Sequence, residues 1–133
     1  MLKLVNEIND FWLGDACSSP NHALKRKPFW YKGSADTDRK IGLRFTDIVQ
    51  KARTGSLDDW ASQAQSSLAL ILLLDQFTRN LFRGSPKAYS GDPRALIYLR
   101  HIIIEKLDIS LDLVASIWVY HPLDHSECLD DLD

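Results

Sequence analysis

Five polar residues, Asp75, Gln76, Arg79, Asn80 and Arg83, follow directly on an unbroken apolar run, Leu68 to Leu74. At helical spacing Asp75 and Arg79 lie one turn apart, as do Gln76 and Asn80, and Arg79 and Arg83. Asp75 and Arg79 can therefore form an ion pair. Beside so apolar a run, each charge needs a partner, because an unpaired buried charge is costly. Two readings follow. Arg79 and Arg83 can present a guanidinium fork to an anionic group while Gln76 and Asn80 add hydrogen bonds. The same side chains can instead fix the register of neighbouring helices.

A second constellation is His121-Pro122-Leu123-Asp124-His125-Ser126-Glu127. His125, assisted by Asp75, Asp124 or Glu127, has the residue types for general acid–base work of the kind hydrolases use. It can equally be a hydrogen-bonded structural histidine. His121 and His125 are four apart, but Pro122 puts His121 at or before a helix start and spoils metal-ligand geometry. The chain contains no glycine-rich phosphate loop, no CxxC pattern and no GxSxG elbow, so no metal and no cofactor is expected. Trp12, Trp30, Trp60 and Trp118 read as core anchors, or as the walls of an apolar pocket or peptide groove.

The elements that must position these residues read as helices. Leu4, Val5, Ile8, Phe11 and Trp12 fall at helical spacing, and Gly14 closes that helix. Ser18, Ser19, Pro20, Asn21, Pro28, Gly33 and Ser34 punctuate residues 15–35, which are expected to be a long loop. Within it Lys25-Arg26-Lys27 precede Phe29-Trp30-Tyr31, a pattern that can bind single-stranded nucleic acid. In a slightly acidic chain, these residues read instead as a solvated loop anchored by its aromatics.

Ile41, Phe45, Ile48, Val49 and Ala52 stripe a helix over Asp36 to Arg53. Asp58-Asp59-Trp60 starts a short turn. The central helix spans about Ser66 to Phe82. Asp92 as N-cap and Pro93 at the first position open another, expected to run to about Leu107. Leu111–Tyr120 is a further helix, after which Pro122 either kinks it or begins a last one. No segment reads as strand. The fold class is all-α, with successive helices packing as antiparallel neighbours.

At 133 residues the chain is expected to form a single domain. Its net charge of -2 argues against an electrostatically driven nucleic-acid or membrane partner. Cys17 and Cys128 form no disulfide framework and read as free thiols of a reducing, cytoplasmic setting. Neither a signal peptide nor a span of about 20 apolar residues is visible. Acidic residues cluster after Asp124, where they oppose a helix dipole. A chain stopping there reads as cut short.

Several segments together resemble an uncharacterised family, the domain-of-unknown-function family 924, grouped with tetratricopeptide-like helical folds. Phe11-Trp12-Leu13-Gly14 is similar to its opening FWFG element, and Trp30-Tyr31 to its WF pair. Gly55, Leu57 and Trp60 fit its G-x-L-x-x-W segment. Leu72 to Gly84, LLLDQFTRNLFRG, resembles its LLLDQFPRNxFRG signature, and Pro122 to Glu127 its P-x-E-H-S-E segment. Here Thr78 stands for the usual proline, so the central helix is expected to continue without a kink, and Asp124 stands for a glutamate. The resemblance implies an antiparallel helical array wound as a tetratricopeptide-like superhelix. It further implies that the chain lacks a C-terminal helical segment, and that the 75–83 and 124–127 residues share one polar site. It implies no activity.

The leading expectation is a binding module for a peptide, a protein or a small anionic ligand. Gln76, Arg79, Asn80, Arg83 and Asp124 would be its polar contacts, and Trp12 and Trp30 its apolar walls. A hydrolase built on His125, Asp75 and Glu127, or a structural protein with no small-molecule site, are the alternatives. Oligomeric state is not legible.

Overall fold

One helix runs through the middle of the molecule, and the others are laid around it. A computed structural model describes residues 2–125. Every regular element among them is helical. Helix α1 spans Leu2–Leu13, α2 Pro20–Tyr31 and α3 Ala35–Arg53. The central helix, α4, is built from three consecutive segments: Ala64–Ile71, a π-helical stretch Leu72–Phe77, and Thr78–Leu81. Helix α5 spans Asp92–Ile104, α6 Leu113–Tyr120, and α7 is a single turn, Pro122–His125. Short 3-10 turns join them, at Ala16–Ser18, Asp58–Ser62, Pro86–Tyr89 and Leu107–Ser110. No helix among the described residues is long and apolar enough to cross a membrane.

An apolar run without a polar face must be buried on all sides. Leu68 to Leu74 and Phe77 are all fully buried. Helices α1, α5 and α6 pack on the first half of α4, and α3 on its second half. Helix α4 thus touches helices well removed from it in sequence as well as its neighbours. Helix α3 delivers the expected stripe of Ile41, Phe45, Ile48, Val49 and Ala52 to this core. Ser34 caps its first turn by accepting from Thr37 N at 3.0 Å.

Residues 15–35 are mostly helix, contrary to the expected loop. Ser19 caps α2 by accepting from His22 N, and Pro20 occupies the first helical turn, where its missing N–H costs nothing. Pro28 lies inside α2 and removes one intrahelical bond. The apolar rhythm is missing because α2 buries no residue completely. Helix α2 is held by polar anchors instead. Arg26 Nη2 donates to the Phe11 carbonyl at 2.6 Å, and Trp30 Nε1 to the Trp12 carbonyl at 2.7 Å. Lys25–Tyr31 is thus part of a helix that docks on the end of α1, and its aromatic residues are engaged there. Phe29 makes edge contacts with Phe11 and Trp12.

The bounds of two helices also differ. Gly91, not Asp92, is the N-cap of α5, and α5 stops at Ile104 rather than near Leu107. Lys106 follows with a left-handed φ of 58°, which breaks the helix. Helix α6 starts at Leu113, because Asp112 caps it by accepting from Val114 N at 2.9 Å.

Candidate functional site

The π-helical stretch covers Leu72–Phe77 and so includes Asp75 and Gln76. A π turn accommodates one residue more than an α turn, and at 3.6 residues per turn this re-aims everything downstream by about 100°. Such turns recur at functional sites. Thr78 lets α4 continue, as expected from the absence of proline. Its Oγ1 donates to the Leu74 carbonyl at 2.8 Å.

Asp75 is fully buried. Gln76 Nε2 donates to its Oδ2 at 2.8 Å, and Arg79 Nη1 lies 3.4 Å from its Oδ1. Arg79 also donates to the Asp75 carbonyl. The main partner of Arg79 comes from α5. Its Nη1 and Nη2 donate to Asp92 Oδ1 and Oδ2, both at 2.9 Å, in a two-pronged pair. One turn on, Arg83 makes the same kind of pair with Asp38 of α3. Its Nε donates to Oδ2 at 2.7 Å and its Nη2 to Oδ1 at 3.0 Å. Asn80 Nδ2 adds a bond to Asp38 Oδ1 at 2.8 Å. Burial pushes the Asp38 carboxyl up, but the Arg83 and Asn80 hydrogen bonds and the Arg83 charge outweigh it, leaving it below its ordinary value. The hydrogen bond to Asp38 in turn raises the Arg83 guanidinium above its own.

A small cavity of about 140 Å³ opens beside this network. Its walls are Trp12 of α1, Trp30 and Tyr31 of α2, Lys32 and Gly33 of the following turn, and Gln76, Arg79, Asn80 and Arg83 of α4. Six residues expected at a site from the sequence are therefore brought together: Trp12, Trp30, Gln76, Arg79, Asn80 and Arg83. Among the described residues three cationic and two amide side chains line the cavity, and no carboxylate does. Trp12 is buried, and its indole Nε1–H has no acceptor among the described residues. An unsatisfied buried donor costs about 1–3 kcal/mol.

Other expected residues stand elsewhere. Asp75 is not a wall of the cavity. Asp124 is exposed and does not line it either. Its Oδ2 lies 3.9 Å from His121 Nδ1, and His121 Nε2 is 3.5 Å from the Tyr31 hydroxyl. Burial, and secondarily the Asp124 charge, raise the Tyr31 phenol above its ordinary value. His121 stacks on Trp118 with ring centroids 4.4 Å apart. The His125 side chain and Glu127 lie outside the described residues. Among the described residues no group of three His, Cys, Asp or Glu is placed to hold a metal ion.

Sequence reading missed Asp38, Asp92, Lys32, Gly33 and Tyr31 as members of this region. The requirement that two arginines next to a buried run have partners was visible. Which of the chain's 18 acidic residues supplied them was not.

Comparison with known proteins agrees with the sequence motifs. No curated protein matches the chain. The structure of a protein of unknown function, ATU0120 from Agrobacterium tumefaciens, is similar to it with a TM-score of 0.82 and 33% sequence identity. The similarity covers 98% of this chain and 68% of that one. A family described as bacterial protein of unknown function, DUF924, matches residues 8–133. With nearly its whole length matched, including every residue that lines the polar cavity, the chain belongs to the DUF924 family.

Proposed function

We propose that the chain binds a small anion in the cavity between α1, α2 and α4. The observation that carries this is the composition of the cavity wall among the described residues: Lys32, Arg79 and Arg83 with Gln76 and Asn80, and no carboxylate. Asp38, Asp75 and Asp92 hold the arginines in place without lining the space. Lys32 is exposed and has no ion-pair partner among the described residues. Its charge is free to answer a ligand. Guanidinium and amide donors held by neighbours are pre-ordered, so little side-chain freedom is lost on binding.

Titration with butyrate and with inorganic phosphate, followed by calorimetry and by tryptophan fluorescence, tests the reading. Lys32→Ala is expected to weaken binding severalfold without moving the melting temperature, because Lys32 is an exposed residue. Saturable binding that is indifferent to Lys32→Ala, or none at millimolar anion, overturns the proposal.

A further inference from the structure

Trp30 and Tyr31 are walls of two cavities. On one side is the polar cavity; the other is a larger groove of about 570 Å³ that also shares both residues. The groove lies between α2 and α6, beside the Ala16–Ser18 turn, and Ala23, Leu24, Leu113, Ile117 and Trp118 make its apolar walls. Three of these walls are left exposed by the fold: Leu24 is 57% exposed, Leu113 75% and Ile117 49%. Two of its polar side chains are already engaged. Ser19 caps α2, and Asp112 caps α6 and receives the Cys17 thiol. Burial, together with that hydrogen bond to Asp112, pushes the thiol up to about 11, so Cys17 is neutral there near neutral pH. Among the described residues Lys27 is the sole cation in the lining.

We propose that groove and polar cavity hold one ligand, a straight-chain aliphatic carboxylate of medium length. Its chain lies between α2 and α6, crosses the exposed Tyr31 ring, and brings the carboxylate to Lys32, Asn80 and Arg83. This rests on the anion reading above and extends it. Charge complementarity sets the direction: among the described residues the polar cavity is lined by three cations and no carboxylate, whereas the groove is mostly apolar with Lys27 its one cation. A peptide fits the groove less well. Its backbone N–H and C=O groups would be buried against mostly apolar walls, at a cost no alkyl chain incurs.

The test is a calorimetric series on the whole chain with butyrate, hexanoate, octanoate and decanoate, each below its micellar concentration, and with 1-decanol as the uncharged control. Each methylene buried in the groove is expected to tighten binding about threefold to fourfold. Leu24→Asp and Leu113→Asp change exposed positions, and Leu113→Asp places the charge in the first turn of α6, where it is tolerated. Both are expected to flatten the chain-length dependence and leave butyrate affinity unchanged. Butyrate binding with no gain for decanoate overturns the extension and leaves the anion reading standing. Decanol binding as tightly as decanoate overturns it too, as does a Leu-Leu-terminated peptide outbinding octanoate. Failure of butyrate together with failure of decanoate removes the anion reading itself.

Discussion

Gly91 sits directly on the carbonyl of Leu74: a Cβ built on Gly91 would stand 2.2 Å from the Leu74 oxygen and 2.9 Å from its Cα. The contact joins the start of α5 to the π-helical stretch of α4. It sets the height at which the next residue, Asp92, meets Arg79. The φ of Gly91 is -89°, a value any residue adopts, so the requirement for glycine here is space alone.

Gly91→Ala is therefore expected to destabilise the fold by about 1–3 kcal/mol, the usual cost of forcing an atom into a packed interior. Urea unfolding would show it as a lower midpoint with an unchanged slope. Wild-type stability would mean that α5 can shift away from Leu74 freely.

Arg79 and Arg83 make similar pairs in different surroundings. The Arg79 side chain is 22% exposed and touches the fully buried Asp75; that of Arg83 is 58% exposed. Removing one partner of a buried pair costs about 3–5 kcal/mol, while an exposed pair contributes about 1 kcal/mol or less. Arg79→Ala should thus approach the upper figure and Arg83→Ala the lower one, by denaturant melting. Equal losses would mean that Asp92 and Asp75 find other partners when Arg79 is gone.

Acid should expose the Asp38 linkage. Its carboxyl titrates lower in the fold than in the unfolded chain. A depressed acid contributes stability that is fully present above its unfolded value of about 3.9, and loses it as pH falls through the lower folded value. Comparing wild type with Asp38→Asn, the stability gap is expected to be constant above pH 5 and to close below about pH 4. A gap that persists to pH 2 contradicts the pairing with Arg83 and Asn80.

How much of this was readable in advance depended on how each segment is held. Helices α1, α3 and α4 bury apolar faces, so their periodicity is written in residue types, and Gly14 marks the end of α1. Helix α2 is held by Arg26 and Trp30 hydrogen bonds to the end of α1, which leave no rhythm, and Pro28 disguised it further. Its start signal, Ser19-Pro20, was nevertheless present.

What the residue order determined by itself was local: an all-helical chain, an apolar run that had to be central, and a cluster of amides and arginines at its end. Tertiary structure decided the partners. Asp38 is 45 residues from Arg83, and Asp92 is 13 from Arg79. Ion pairing acts through space, and any carboxylate carried to the right place by a neighbouring helix can serve. Tertiary packing also turned α2 over the end of α1, so that Trp12, Trp30 and Lys32 close a cavity which no stretch of sequence contains.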